Sequence, residues 1–164
     1  MSFLLTGLLL AALATLGVPM PRLLFATPFY IAVVANARHD FLTSTLRVAW
    51  SNAAIIIALI SATVNPFPLS GLAWGIGLAA GVGVTSFLSG GRLIGMGDAR
   101  LLAALAVWQG SVAPERVWWT ICIALFVQVV ALAVKAITSG VRFTDTLPFG
   151  PALVAGCACT DLFA

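Results

Sequence analysis

Acidic side chains are the residues of this chain best suited to chemistry. There are only five Asp and Glu among 164 residues, so each can be considered individually. An ionisable group at the edge of hydrocarbon is costly and is therefore a candidate for function. Three of the five lie directly beside apolar segments: Asp40, Asp98 and Asp145. Two carboxylates held close together cannot both ionise, so one stays protonated while the other acts as a base. Such a pair can activate water for attack on a peptide carbonyl.

Asp98 stands in the sequence Gly95-Met96-Gly97-Asp98, immediately before an apolar segment. Glycines at 95 and 97 permit backbone conformations and close approaches that other residues block. Two interpretations remain open from the residues alone. Asp98 caps a helix that starts at Ala99, or it belongs to a reactive pair; the two roles are compatible.

The elements that must position these acids are apolar helices. Hydrophobic residues make up 62% of the chain and charged residues 8%, against about 25% charged in an ordinary globular domain. The apolar runs are too long for barrel strands, so the sequence predicts an all-α, polytopic transmembrane bundle of six to seven spans. It is expected to form a single domain over residues 1–164, with an extra N-terminal helix at 3–18. The predicted spans are Phe3–Val18, Leu23–Ala37 (short, with Pro28), Val48–Val64, Leu72–Leu88, Ala99–Ala113, Val117–Thr138 and Leu147–Phe163.

The basic residues predict the orientation of these spans. Two of them, Arg22 and Arg116, fall on one side, whereas six fall on the other: Arg38, Arg47, Arg92, Arg100, Lys135 and Arg142. The excess of Lys and Arg marks the cytoplasmic side. Asp40, Asp98 and Asp145 are therefore expected at the cytoplasmic face, and Glu115 and Asp161 at the opposite face.

Several classes of function are disfavoured by what the chain contains. The net charge of +3 comes from scattered residues, which is unlike the clustered basic face of a nucleic-acid-binding protein. Neither HExxH-type metal spacing nor a phosphate-binding loop is present. We therefore expect no metal, no cofactor and no nucleic-acid partner.

Glycines are frequent in the predicted span 72–88, where Gly77 and Gly81 form a GxxxG pair. The pair predicts close approach of a neighbouring helix. The alternative is that the exposed backbone lines a path for a substrate.

The sequence around Asp98 resembles a known family. Residues 91–105 read GRLIGMGDARLLAAL, which is similar to the GxGD signature of type IV prepilin peptidases, above all the small subgroup that serves Flp-type (tight-adherence) pili. Trp108-Gln109-Gly110 continues the helix that follows the motif in that family. Residues 147–156, LPFGPALVAG, look like its C-terminal PxGxAxxxG element. The resemblance runs from about Val33 to the C-terminus.

The resemblance implies a membrane aspartic endopeptidase with Asp98 as the second motif aspartate and Asp40 as the first. Gly95, Gly97 and Arg100 would support the motif, and Asp145 is an alternative partner for Asp98. The stretch after Asp40 lacks the family's Ile-Pro-Asn, and Arg100 stands where the family usually has Lys.

The same resemblance implies how such a peptidase would act in the cell. It would remove a short basic leader that precedes a hydrophobic helix in a prepilin, at the cytoplasmic face of the bacterial inner membrane. Its partners would be the prepilin, the lipid bilayer and pilus-assembly machinery. Larger family members carry a CxxC-bearing domain and methylate the new N-terminus. No such insertion is visible here, so peptidase activity alone is expected.

Two other functions fit the sequence less closely. A catalytically inactive scaffold in a pilus-assembly machine would explain the divergent stretch after Asp40. A small transporter or channel would explain several spans with boundary carboxylates. A transporter predicts charged residues near mid-membrane, and the centres of the predicted spans are almost free of charge.

Overall fold

The computed structural model describes residues 7, 11–12, 20–64, 69–88, 90, 95–139 and 148–163. These residues contain six α-helices and no strand, which confirms the predicted all-α bundle. The predicted helix Phe3–Val18 lies outside the described residues apart from positions 7, 11 and 12, and so do Arg92, Arg142 and Asp145. The helices are α1 (Met20–Thr43), α2 (Val48–Val64), α3 (Leu69–Leu88), α4 (Met96–Gly110), α5 (Pro114–Ser139) and α6 (Gly150–Phe163).

Helix α1 is longer than the sequence predicts. The prediction ended the segment at Ala37, but the helix continues to Thr43 and runs through Pro28. A proline in a helix interior removes one hydrogen bond and crowds the preceding turn. Packing compensates here, because the two residues that follow it, Phe29 and Tyr30, are fully buried. Arg22 and Asp40 therefore lie at opposite ends of one helix, about 27 Å apart along its axis.

Helix α4 is the central element of the bundle. It packs against α2, α3, α5 and α6, and most of its residues are buried. The aromatic rings of Trp108 on α4 and Phe29 on α1 are stacked with centroids 4.3 Å apart, which joins α1 to this core. Asp98, near the start of α4, is thereby carried on a helix that packs against four others.

Among the described residues, two helices are long and apolar enough to cross a membrane, Leu69–Leu88 and Pro114–Thr138. In each, only 17% of the most apolar window is buried inside the bundle. A core helix of a soluble protein would be mostly covered, so these exposed apolar faces indicate contact with lipid. Val48–Val64 and Gly150–Phe163 are shorter apolar helices.

Glycines set the distance between α3 and α4, but they are not the predicted pair. A Cβ atom added at Gly75 would lie 2.5 Å from the carbonyl oxygen of Ala106, and one at Gly71 would overlap the carbonyl oxygen of Gly110. A Cβ at Gly77 or Gly81 would meet no described atom within 4 Å. The close approach between described helices is thus made by a glycine pair that lies six residues earlier in the chain than the predicted pair.

We expect Gly75→Ala to lower the free energy of unfolding by about 1–3 kcal/mol, the usual cost of overpacking, because backbone at Ala106 blocks the new methyl group. Gly77→Ala is the matched control in the same helix and should not destabilise the fold, because the new methyl group meets no described atom and alanine favours a helix over glycine. Thermal or denaturant unfolding in detergent measures both. Equal destabilisation by the two substitutions would contradict the described packing.

Candidate active site

Asp40 lies in the last turn of α1 and is buried, with 5% of its surface exposed. The backbone N–H of Gly150, the first residue of α6, donates a hydrogen bond to Asp40 Oδ2 at 3.1 Å. A Cβ atom added at Gly150 would lie 2.7 Å from the same oxygen. Only glycine therefore allows the start of α6 to approach the Asp40 carboxylate this closely.

Asp98 lies in the first turn of α4 and is partly buried. The helix begins at Met96 rather than Ala99, its N-cap is Gly95, and no side chain caps it. The interpretation of Asp98 as the cap is therefore wrong. Within the described part of the chain the Asp98 carboxylate accepts no hydrogen bond.

The two carboxylates are close enough to influence one another. The pKa of Asp98 is raised from 3.8 to about 6, first by burial and then by the negative charge of Asp40. Both groups lie just outside the predicted apolar spans 23–37 and 99–113. The structure thus brings together the two aspartates that the sequence singled out, at one end of the bundle.

The surroundings of the two carboxylates differ. Burial raises the pKa of Asp40, whereas the hydrogen bond from Gly150 and the nearby charge of His39 lower it. Asp98 has no comparable donor among the described residues, and its raised pKa has no opposing cause. Of the two, Asp40 is therefore the group more easily ionised, and Asp98 the one more easily protonated.

Leu46 is a neighbour of the site that sequence reasoning missed. A Cβ atom added at Gly97 would lie 2.9 Å from Leu46 Cβ, and one at Gly150 would lie 3.2 Å from Leu46 Cδ2. One leucine side chain thus touches the first turns of both α4 and α6. This close contact leaves no room for a side chain at position 97, so glycine is required there. Gly95 has an ordinary backbone conformation with φ −59°, which other residues also adopt.

Hydrogen bonds hold the connection between α1 and α2, on which Leu46 lies. Asn36 is fully buried; its Oδ1 accepts the backbone N–H of Arg47 at 2.8 Å, and its amide donates to Ser51 Oγ at 2.8 Å. His39 Nδ1 lies 2.7 Å from the carbonyl oxygen of Thr45. His39 therefore anchors the connection as well as lying beside Asp40.

The remaining predicted site residues are placed as follows. Arg100 is partly buried on α4, two residues after Asp98, and side chains two apart on a helix do not face one another. Asp145 lies outside the described residues. Among the described residues, no group of three His, Cys, Asp or Glu side chains is arranged to hold a metal ion.

A second polar cluster lies at the other end of α1 and was also missed. Asp161 accepts hydrogen bonds from the Tyr30 hydroxyl at 2.5 Å, the Trp108 indole at 2.9 Å and Arg22 at 3.1 Å. Arg116 lies 3.7 Å away. Arg22 and Arg116 therefore share one end of the bundle, as the orientation analysis predicted. The sequence did contain a signal for this cluster. Asp161 is the lone acid in the predicted span Leu147–Phe163, and Arg22 and Arg116 were expected on the same side of the membrane.

Fold and site together define a helical membrane protein that carries a pair of interacting carboxylates at one end of its bundle. Two curated proteins are similar to the chain over nearly its whole length. Both are named prepilin leader peptidase/N-methyltransferase, from Burkholderia pseudomallei strains 1026b and K96243, and each is 30% identical over 167 residues.

The match covers 96% of this chain and 52% of each relative, so the chain spans about half the length of the curated relatives it matches. No family model and no solved structure matches the chain. The similarity supports the resemblance to type IV prepilin peptidases that the residues around Asp98 indicated.

We expect Asp161→Ala to destabilise the fold by about 3–5 kcal/mol, because it leaves the buried Arg22 guanidinium without its carboxylate. Glu115→Ala removes an exposed acid from the same end of the bundle and serves as the control, with little expected change. Unfolding in detergent gives both values. A stable Asp161→Ala protein would show that the cluster contributes little to the fold.

Proposed function

We propose that the chain is a membrane aspartic endopeptidase of the type IV prepilin peptidase family. It removes the short basic leader of Flp-type prepilins at the cytoplasmic face of the bacterial inner membrane. Asp40 and Asp98 form the catalytic pair. The observation that carries the proposal is that Leu46 packs both on Gly97, beside Asp98, and on Gly150, whose N–H binds Asp40. The two carboxylates therefore lie at one site, on a chain similar to prepilin leader peptidases over 96% of its length.

The different surroundings of the two carboxylates support an assignment of roles that the sequence left open. Asp40, ionised beside the N–H of Gly150, takes a proton from water, and the resulting hydroxide attacks the scissile carbonyl. Asp98, protonated, hydrogen-bonds the carbonyl oxygen and then delivers its proton to the leaving amine. The proton on Asp40 then passes to Asp98, directly or through water, which restores the starting pair, and the new carboxyl group loses its own proton to the new amine. No covalent intermediate and no cofactor is required.

The substrate proposed is a single hydrophobic helix preceded by a basic leader. Such a helix would lie in the bilayer beside the exposed apolar faces of the bundle, with the scissile bond at the boundary where Asp40 and Asp98 lie. Arg38 and Arg47 are exposed near Asp40 and match the excess of basic residues expected on the cytoplasmic side.

Cleavage of a Flp-type prepilin by purified protein in detergent tests the proposal. We expect wild type to cut and Asp40→Asn and Asp98→Asn to lose at least about 1000-fold in rate, because each removes one half of the acid–base pair. Glu115→Gln, an exposed acid remote from the pair, is the control and should retain full activity.

Asp145→Asn decides between the two candidate partners of Asp98. If Asp145→Asn is inactive and Asp40→Asn cuts, the endopeptidase assignment stands with Asp145 in place of Asp40. If wild type leaves the prepilin intact while a Burkholderia relative cuts it, the chain is better described as an inactive scaffold of pilus assembly.

The pH dependence of kcat/KM is the second test. The productive state has Asp98 protonated and Asp40 ionised, so kcat/KM should fall about tenfold per unit as the pH rises above about 6. Because the pKa of folded Asp98 lies above its ordinary value of 3.8, ionisation of Asp98 also lowers stability as the pH rises through about 6. Unfolding temperatures across the same range separate the two effects. A rate that keeps rising to pH 8 would contradict the assignment of Asp98 as the acid.

A further inference from the structure

The chain reverses direction shortly after Asp40, at the end of α1. Ser44 adopts the left-handed backbone conformation with φ 53°, and its N–H donates to the carbonyl oxygen of Asp40 at 2.7 Å. Residues other than glycine rarely adopt this conformation, so neighbouring contacts must hold it in place. The turn that ends α1 is thus bonded to the backbone of Asp40 itself.

The side chain of His39 holds this turn from within α1. Its Nδ1 lies 2.7 Å from the carbonyl oxygen of Thr45, and because a carbonyl oxygen only accepts, Nδ1 carries a proton. Thr43 Oγ1 lies 3.0 Å from the same nitrogen and 2.8 Å from Thr45 Oγ1. These contacts fix the orientation of the ring and leave Nε2 as the nitrogen that gains or loses a proton.

The charge on His39 acts on the neighbouring carboxylate. A positive charge on the ring lowers the pKa of Asp40, as does the hydrogen bond from Gly150 of α6, against the effect of burial. From α4 the negative charge of Asp98 interacts with Asp40. An imidazole takes up its proton in mildly acidic solution, where protonation of Asp40 would prevent it from acting as a base. His39 thus supplies positive charge in the pH range in which Asp40 needs it.

Two arginines lie near the same turn but are placed differently. Arg38 precedes His39 on α1, Arg47 lies in the connection to α2, and both are exposed. Water and salt screen charges in such positions. His39 is partly buried and tied through Nδ1 to Thr45, so its charge has a fixed position beside Asp40.

We propose that His39 is a positioning residue of the active site, which holds the turn after Asp40 through its Nδ1–H and keeps the Asp40 carboxylate ionised in acidic solution through its charge. The inference rests on the proposed endopeptidase function and deepens it, because it assigns to His39 the acidic limit of the pH range in which the enzyme cuts. The effect of His39 on the reaction is exerted through Asp40.

The acidic limb of kcat/KM against pH tests the inference, with purified protein in detergent and a Flp-type prepilin. His39→Asn is the decisive variant, because the amide nitrogen of Asn lies two bonds from Cβ, as Nδ1 does, and can donate to Thr45 without carrying a charge. We expect the midpoint of the acidic limb to rise by about half a pH unit, since loss of the positive charge makes Asp40 easier to protonate, while the maximal kcat/KM stays close to that of wild type. Arg38→Gln is the matched control, because it removes an exposed charge from the adjacent residue, and should leave the midpoint unchanged.

His39→Ala removes the hydrogen bond as well as the charge. We expect the same shift of the acidic limb and, in addition, a maximal kcat/KM at least about tenfold lower, because Asp40 is then less well positioned. A role in folding alone would lower kcat/KM by the same factor at every pH and would not move the limb. If His39→Ala does not fold, the comparison of His39→Asn with wild type still decides.

The outcomes separate this inference from the function on which it rests. An acidic limb in His39→Asn at the same pH as in wild type overturns the role of His39 and leaves the endopeptidase intact. Wild type that cuts no prepilin at any pH overturns both.

Discussion

The hydrogen bond from the Gly150 backbone to Asp40 joins the last turn of α1 to the first residue of α6. A carboxylate buried among apolar helices needs a donor, since an unpaired charge there is strongly disfavoured. The start of a helix offers free N–H groups, and the missing side chain at Gly150 lets one of them reach Asp40. The same approach brings Leu46 against the start of α6.

Two aspartates of this chain, Asp161 and Asp98, have very different surroundings. Asp161 is surrounded by donors from three other helices: Arg22 and Tyr30 on α1, Trp108 on α4 and Arg116 on α5. Its capacity to accept hydrogen bonds is largely used. Asp98 accepts none within the described residues and has a pKa raised to about 6. Asp161 therefore ties three helices together, whereas the carboxylate of Asp98 makes no such tie within the described residues.

The two polar clusters lie at opposite ends of the α1–α6 pair. Arg22 meets Asp161 near the beginning of α1 and the end of α6, and Asp40 meets Gly150 at the other end. Both helices are thus tied together at each end. Between the two ends, contacts are mainly apolar, with Leu153 and Cys157 of α6 in the same core as Phe29 and Val33 of α1. A shift of α6 along α1 would break both ties, so the distal cluster helps to keep Gly150 beside Asp40.

The sequence by itself determined the properties that depend on composition and local pattern. Its apolar runs required helices, because backbone groups in hydrocarbon must be paired within the segment. Its few charges placed Arg22 and Arg116 together and marked Asp40 and Asp98 as boundary acids. Local pattern was less reliable at helix ends: α4 begins three residues before Ala99, and α1 continues six residues beyond Ala37.

Tertiary structure alone decided which of these residues meet. Nothing in the local sequence distinguishes Gly71 and Gly75, which touch α4, from Gly77 and Gly81, where an added Cβ atom would meet no described atom within 4 Å. Asp161 and Arg22 are 139 residues apart in the chain, and Gly150 and Asp40 are 110 apart. Such contacts depend on how helices pack in three dimensions, since packing selects one face of each helix and one register between neighbours. The roles of Gly150, Leu46 and Asp161 follow from that packing, which no local pattern encodes.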